Sequence, residues 1–249
     1  MIALAGCVQQ TMAPGINAAA ARVLHRLGVR LQEAERAGCC GALPQHLDGL
    51  EQSRNDARRN IDAWWPLLEA GAEAILLTAS GCATQVRDYG YLLQDDPAYA
   101  AKAARVAGLS KDISEILAAE KELLLALLAA RPMPVPGRML AFHAPCSLQH
   151  GLQIRGIAEE FLSAAGFVLT PVADAHLCCG SGGAYSVLQP KIAEQLLQNK
   201  LATLTTGQPL AIATANIGCL AFLQSGTRLP VRHWIEIIDE RLTDSHHAD

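Results

Sequence analysis

Two segments of the chain carry the same pattern of apolar and polar positions. INAAAARVLHRLGV follows Cys7 and IRGIAEEFLSAAGF follows Cys146. Both place apolar residues at helical spacing and end at a glycine, Gly28 and Gly166. Glycine often follows a helix because it adopts positive φ without strain. We therefore expect each segment to form an amphipathic helix.

Short apolar runs precede two other cysteines. AILLTASG leads to Cys82 and LAIATANIG leads to Cys219, as expected for buried strands that end at a site. Similar reasoning predicts strands near residues 2–5, 28–33 and 73–78 and helices near residues 17–27, 54–70 and 84–93. Strands that alternate with helices predict an α/β fold with a small parallel sheet flanked by helices in each half.

The middle of the chain divides these two patterns. The Ala/Leu-rich stretch SEILAAEKELLLALLAA predicts a helix over about residues 112–130, and RPMPVPG at residues 131–137 ends it with three prolines. We expect a buried helix that bridges the halves, with a partner-docking surface as the alternative. The prediction is two tandem, pseudo-twofold related units, residues 1–131 and 132–249.

The cysteines repeat in the same register as the elements. The first half reads C-x31-CCG-x40-C and the second reads C-x31-CCG-x38-C. The expected metal ligands are all eight cysteines: Cys7, Cys39, Cys40 and Cys82 in the first half, and Cys146, Cys178, Cys179 and Cys219 in the second. Because the single cysteines follow predicted strands, four thiols in each half are expected to meet at one sheet edge.

The segment HLCCGSGG, residues 176–183, favours a loop wrapped on a cofactor. Adjacent cysteines form a disulfide only with strain, and glycines let the backbone approach a bulky group closely. Gly41, Gly180 and Gly182 are therefore candidate cofactor-binding residues, with N–H groups that can donate to sulfur. Structural zinc sites usually use paired C-x2-4-C ligands, which are absent here. This favours an iron–sulfur cluster, and zinc or metal-free thiols remain alternatives.

Composition excludes several functions. The net charge is −4 and 4% of residues are aromatic, which argues against a nucleic-acid partner. The longest apolar runs are shorter than the ~20 residues that cross a bilayer. Six residues without a basic side chain precede Cys7, too few for a secretory signal. We expect a cytoplasmic protein with reduced thiols.

Histidines near the second set of cysteines extend the candidate site. His143 lies three residues before Cys146 and is the candidate catalytic residue, with a ligand, proton-donor or hydrogen-bonding role; ordinary packing is the alternative. His176 lies just before the second cysteine pair and is a further candidate. His233 is expected to cap or pack near a helix start. This asymmetry suggests that the second half holds the more reactive site.

The doubled C…CCG…C pattern resembles the cysteine-rich CCG domain family. That family includes the B subunit of heterodisulfide reductase, the iron–sulfur subunits of glycolate oxidase and lactate-utilisation systems, and anaerobic glycerol-3-phosphate dehydrogenase. GCVQQTMAPGINAAAARVL, TASGCATQVRDYGYLL and TANIGCLAFLQSGTRLPVRHWIEIID are especially similar to the carboxyl-terminal part of the glycolate oxidase iron–sulfur subunit. The likeness covers essentially the whole chain.

The resemblance implies electron transfer through iron–sulfur clusters, of the 4Fe-4S type, from a flavin-containing dehydrogenase subunit toward a quinone or another acceptor. It also implies a ferredoxin-like iron–sulfur domain or subunit as partner, because this chain contains no C-x-x-C motif. In heterodisulfide reductase the last cysteine belongs to a C-x-x-C pair, whereas Ala79 and Asn216 stand at that position here. The resemblance further implies peripheral association at the inner face of the cytoplasmic membrane through the complex. The rival function is a zinc-stabilised module that binds a partner subunit.

Overall fold

The computed structural model describes residues 1–131 and 137–243. It contains two four-stranded sheets whose strands are all parallel, with strand orders β2-β1-β3-β4 and β6-β5-β7-β8. The strands are β1 (Ile2–Ala3), β2 (Gln32–Glu33), β3 (Ile75–Leu77), β4 (Ser110–Asp112), β5 (Met139–His143), β6 (Val168–Leu169), β7 (Ala211–Thr214) and β8 (Val231–His233). The predicted α/β fold with a parallel sheet in each half is confirmed.

Helices connect the strands of both sheets. The first half contains α1 (Val8–Met12), α2 (Gly15–Arg26), α3 (Ala42–His46), α4 (Leu50–Glu69), α5 (Ser80–Arg87), α6 (Tyr89–Leu92), α7 (Ala100–Leu109), α8 (Ile113–Ala119) and α9 (Lys121–Ala129). The second contains a π-helix (Ser147–Gly151), α10 (Ile157–Ala164), α11 (Tyr185–Leu188), α12 (Pro190–Thr205), α13 (Ile217–Gly226) and α14 (Trp234–Leu242). The repeats differ chiefly where α6 and α7 separate β3 from β4.

The continuous helix predicted over residues 112–130 is wrong. Ser110–Asp112 forms the edge strand β4, and α8 and α9 follow it with a break at Glu120 (φ −102°, ψ 22°). Asp112 starts α8 through a capping box with Glu115, which separates the strand from the helix. The predicted bridging position is confirmed, because α9 packs against α10 and α14 of the second half. Most of the proline-rich segment 131–137 lies outside the described residues.

The two halves share one hydrophobic core. The main cluster of buried side chains runs from Ile2 in β1 to Leu242 in α14 and includes residues of both halves. Helices near the end of each repeat also pack against the other repeat: α14 packs on α2, and α8 packs on α10. Burial of this shared apolar surface stabilises the relative position of the two sheets.

An ion-pair cluster adds to the contact between α2 and α14. The carboxylate of Asp239, whose side chain is 7% exposed, lies 2.7 Å from Arg22 Nη2 and 3.3 Å from Arg26 Nη1. The neighbouring Glu240 pairs with Arg232 at 2.5 Å, but its side chain is 62% exposed. These adjacent carboxylates therefore offer a matched comparison of a buried and an exposed ion pair.

We expect Asp239→Asn to lower the free energy of unfolding by about 1.5–3 kcal/mol, because it removes charged hydrogen bonds from a buried group. Glu240→Gln serves as the control and should cost at most about 1 kcal/mol, as is usual for solvent-exposed pairs. Urea denaturation of the two variants and the wild type measures the difference. Equal losses would show that the contact between α2 and α14 does not depend on this cluster.

In the described part of the chain, no helix combines the length and hydropathy that crossing a bilayer requires.

Candidate metal centres

The first centre contains the four cysteines of the first half. Cys7 Sγ lies 3.4 Å from Cys39 Sγ, Cys39 is in hydrogen-bond contact with Cys40, and Cys40 is in contact with Cys82. All four are free thiols. Cys7 is exposed at the edge of the group, whereas Cys40 is buried. The structure therefore brings the four sulfur atoms into one continuous cluster, as the spacing predicts.

Local backbone geometry holds the first cysteine pair in place. Gly41 has φ 84° and starts α3, and its N–H donates to Cys39 Sγ at 3.4 Å. A Cβ at this position would lie 3.0 Å from Ser53 O, so the loop requires glycine. Cys7 is the N-cap residue of α1 and Cys82 lies in the first turn of α5. Thiols next to helix N-termini are near N–H groups that stabilise the thiolate form.

The second centre repeats this arrangement with the other four cysteines. Cys146 contacts Cys178, Cys178 contacts Cys179, and Cys179 contacts Cys219. The Gly180 N–H donates to Cys178 Sγ at 3.3 Å, in the same way as Gly41 in the first half. All four are free thiols, with Cys179 and Cys219 buried. Both cysteine pairs thus have a glycine N–H donor beside the first sulfur.

Polar side chains surround the second centre more closely. Ser181 Oγ lies 3.4 Å from Cys179 Sγ and 3.6 Å from Cys219 Sγ. Asn216 Nδ2 donates to Cys219 Sγ at 3.6 Å. Donors aimed at sulfur stabilise negative charge there and raise the reduction potential of a bound cluster.

The thiol pKa values differ between the two centres. In the second centre the thiol of Cys146 donates to Cys178 and lowers its pKa, and the thiol of Cys179 does the same for Cys219. In the first centre burial raises the pKa of Cys7, and the hydrogen bond with Cys40 raises the pKa of Cys39. The same hydrogen bonds and burial raise the pKa of Cys146 and Cys179, so each pair of the second centre has one sulfur that favours the thiolate, the form that binds metal.

Two buried residues hold the first cysteine loop and were not found by sequence analysis. Asn60 Nδ2 donates to Cys39 O at 2.8 Å, and Tyr89 Oη donates to Cys40 O at 2.9 Å. Both side chains are fully buried. Asn60 lies on α4 in register with the apolar residues Ala57, Ile61 and Trp64, so a polar residue on an apolar helical face was the available signal.

A buried lysine has a similar role in the second loop. Lys200 on α12 is 3% exposed, and its ammonium donates to Asp174 O at 2.9 Å and Ala175 O at 3.5 Å. Gln149 Nε2 also donates to Ala175 O, at 3.1 Å. Lys200 faces inward together with Leu197, Leu201 and Leu204 of the same helix, a pattern that the sequence analysis did not use.

The remaining candidate residues differ in how close they lie to the cysteines of the second centre. His143 is 2% exposed, and one ligand atom each from His143, Cys179 and Cys219 lie within 4.8 Å of one another. His176 is exposed, and its carbonyl oxygen lies 3.1 Å from His150 Nε2. Gly182 accepts a hydrogen bond from Tyr185 N but makes none to a cysteine sulfur in the described residues. Its cofactor contact stays a prediction.

His233 caps a helix, as predicted. Its Nδ1 accepts from Ile235 N at 3.3 Å at the start of α14, and its Nε2 donates to Thr78 O at 2.9 Å. Burial lowers the pKa of His233 to about 4, which keeps the ring neutral. Because Thr78 belongs to the first half, this histidine stabilises the contact between the halves and takes no part in either centre.

Asn216 links the two centres. It is the N-cap residue of α13, but its side chain makes no cap to that helix; its Oδ1 accepts instead from Gly81 N of α5 at 3.1 Å. Neither α5 nor α13 is capped by the side chain of its own N-cap residue, and Ser80 Oγ lies 2.7 Å from Ser147 Oγ. One amide thus contacts Cys219 and the residue before Cys82.

We expect Asn216→Ala to lower the free energy of unfolding by about 0.5–2 kcal/mol, because Gly81 N in the first turn of α5 loses its acceptor. The reduction potential of the second centre should also fall, because Cys219 loses a hydrogen-bond donor. Asn216→Asp keeps an acceptor for Gly81 and removes the donor, so it should keep most of the stability while the potential falls. Urea denaturation and redox titration measure the two effects. An unchanged potential in both variants would contradict this role of the Cys219 hydrogen bond.

The donor sets fit a thiolate-bound metal. Four soft sulfur ligands per centre suit zinc or an iron–sulfur cluster, and they do not suit magnesium or calcium. The N–H donors at Cys39 and Cys178 and the convergence of free thiols are the features that a cluster uses. The chemistry of the donors therefore favours a soft metal in each half, and His143, Cys179 and Cys219 are the described group whose ligand atoms all lie within 4.8 Å of one another.

Similarity to known proteins narrows the choice between zinc and an iron–sulfur cluster. The family model "Cysteine-rich domain" (CCG) matches residues 2–87 and 140–224. The glycolate oxidase iron-sulfur subunit of Escherichia coli is 50% identical over 242 residues, which cover 97% of this chain and 58% of the relative. The probable glycolate oxidase iron-sulfur subunit of Bacillus subtilis is 27% identical over 89% of this chain and 48% of its own length.

A second group of relatives has a different length. Lactate utilization protein A of Exiguobacterium sp. is 24% identical over 240 residues, which cover 94% of both chains. The chain therefore spans about half the length of the two glycolate oxidase subunits and nearly all of the lactate utilization protein. The matched repeats and the eight cysteines lead to one conclusion: the chain belongs to the CCG cysteine-rich domain family.

Proposed function

We propose that this chain is an iron–sulfur electron-transfer subunit of a glycolate oxidase type 2-hydroxyacid dehydrogenase complex. The observation that carries the proposal is the gathering of two sets of four free cysteines, each with a glycine N–H donor at its first paired sulfur. The 50% identity to an iron-sulfur subunit favours iron–sulfur clusters over zinc. All eight cysteines act as ligands in this proposal, and a cluster of the 4Fe-4S type occupies each half.

The protein would hold and tune the clusters. A bound cluster supplies one-electron oxidation and reduction. Cysteine thiolates bind the iron, while Gly41, Gly180 and Asn216 direct N–H groups at sulfur and favour the reduced, more negative state. No general acid or base is needed for this transfer.

Hydrogen bonds join the surroundings of the two centres. The Asn216 side chain hydrogen-bonds Cys219 of the second centre and the residue next to Cys82 of the first. Ser80 and Ser147, which flank Cys82 and Cys146, also contact each other at 2.7 Å. We infer that both centres belong to one relay and do not serve separate partners.

Other components would complete the complex. We propose a flavin-containing dehydrogenase subunit as electron donor and a ferredoxin-like iron–sulfur domain or subunit as a further carrier, with a quinone or another acceptor at the end. The absence of any C-x-x-C motif from this chain is the reason to place ferredoxin clusters elsewhere. The free thiols favour the cytoplasm, where cysteines stay reduced, with association at the membrane's inner face through the complex.

Lactate is the second candidate substrate of the complex. The 50% identity favours glycolate, whereas the similarity to lactate utilization protein A over 94% of this chain makes lactate the alternative. Both are small 2-hydroxyacids that a flavin subunit would oxidise. The choice of substrate would therefore belong to the flavin subunit, and this chain would accept electrons in either case.

Anaerobic reconstitution with the flavin subunit tests the proposal. We expect the visible absorbance of the chain's clusters to bleach when glycolate is added to the reconstituted complex, and to stay unchanged when glycolate is added to the chain alone. Faster bleaching with lactate would assign the complex to lactate instead. Clusters that stay oxidised with both substrates, although the flavin becomes reduced, would contradict the proposed electron transfer.

A further inference from the structure

The end of strand β5 places a histidine at the second centre. His143 is its last residue, and its backbone pairs with Thr214, the last residue of β7. The His143 Nδ1 lies 3.0 Å from Thr214 Oγ1, and both residues are buried. The neighbouring strand therefore fixes the orientation of the imidazole ring.

The other ring nitrogen has no partner in the chain. His143 Nε2 is buried and makes no hydrogen bond with any described residue. An unsatisfied buried polar atom costs about 1–3 kcal/mol, so such atoms usually meet a ligand, an ion or water. His143 offers a nitrogen within 4.8 Å of Cys179 Sγ and Cys219 Sγ, and Nε2 is the nitrogen that Thr214 leaves free.

The contact with Thr214 suits a ring that binds metal through Nε2. Neutral imidazole binds metal through one nitrogen, and ligand histidines usually direct the other nitrogen to a hydrogen-bonding group. Thr214 Oγ1 is in place to accept from Nδ1–H.

The first half has no such residue. Leu4 lies three residues before Cys7, as His143 lies three before Cys146, and Leu77 lies five before Cys82, as Thr214 lies five before Cys219. Both leucines are buried. The pair of strand ends that carries an imidazole and a hydroxyl in the second half is therefore apolar in the first.

We propose that His143 Nε2 is an iron ligand of the second centre, which then has four thiols and one imidazole while the first centre has thiols alone. This inference rests on the proposed function, since it requires iron in the second centre. Nearby positive charge and hydrogen-bond donors raise the reduction potential of a cluster, and the second centre has the buried Lys200 ammonium and the Asn216 donor to Cys219 beside it. The second centre therefore has the higher reduction potential, and an electron that enters the chain reduces this centre first.

Pulsed EPR of anaerobically purified, partly reduced protein labelled with 15N-histidine tests the proposal on the unchanged chain. We expect a 15N coupling of the size produced by direct iron–nitrogen bonding, in the signal of the centre that is reduced first. A coupling that is absent, or as weak as that of a hydrogen-bonded histidine, overturns the ligand assignment.

Two variants provide the matched comparison. His143→Leu gives the second half the residue of the first and should abolish the coupling. His176→Leu removes an exposed histidine beside the second cysteine pair and should leave the coupling unchanged. Clusters without the nitrogen coupling would refute this inference alone, whereas labelled wild-type protein without iron would refute the proposed function.

Discussion

Replacing Cys179 by serine is expected to remove the metal of the second centre and leave the first loaded. Cys179 contacts Cys178 and Cys219 and lies within 4.8 Å of the His143 ligand atom, so its sulfur occupies the middle of that centre. Cys40 holds the corresponding place in the first centre, between Cys39 and Cys82. Each single variant should lose about half of the bound iron, because each centre has its own thiolates.

Cys40→Ser is the matched control, and the double variant should bind almost no iron. Because the second half alone has His143 and Lys200 beside its cysteines, we expect Cys179→Ser to cost more electron-transfer activity in the reconstituted complex than Cys40→Ser. Iron content and substrate-dependent reduction are the two readouts. Equal loss of activity from the two variants would contradict the greater importance of the second centre.

The second large effect is expected for Gly180→Ala. Gly180 has φ 93°, and a Cβ there would lie 2.5 Å from Ala193 O, a backbone atom of α12. The substitution therefore combines a left-handed backbone, which costs about 1–2 kcal/mol, with a clash that costs about 1–3 kcal/mol more. Because the Gly180 N–H also donates to Cys178 Sγ, movement of this loop should release metal from the second centre.

Gly28→Ala separates the two causes. Gly28 has φ 78° but no atom within 4 Å of an added Cβ, so this control has the backbone cost without the clash. We expect Gly28→Ala to keep its full iron content and to lose clearly less stability in urea denaturation. If the two variants lose the same stability and the same metal, close packing at Gly180 does not shape the second centre.

The repeat was readable from the sequence because covalent spacing and strand position carry it. C-x31-CCG occurs twice, and parallel strands bring their carboxyl ends to one edge, so both groups of four cysteines were predictable. The edge strands were missed because β4 and β8 are three residues long and contain charged or polar residues. Their pairing depends on neighbouring strands and not on a local apolar run.

Contacts between the halves could not be predicted from either repeat alone. Asn216 is the N-cap residue of α13, but its side-chain oxygen accepts from Gly81 N in the first half. His233 was predicted to be a cap, yet its bond to Thr78 across the halves had no signal in the sequence. Such contacts depend on how two folded units pack together, whereas capping patterns describe one helix at a time.

Metal analysis of anaerobically purified protein tests whether each half gathers four cysteines around an iron–sulfur cluster. We expect coloured protein that contains iron and acid-labile sulfide in both halves. The iron and sulfide contents should each fall by about half in Cys40→Ser and in Cys179→Ser. Colourless protein that contains zinc and no sulfide would contradict it and support a zinc-stabilised binding module.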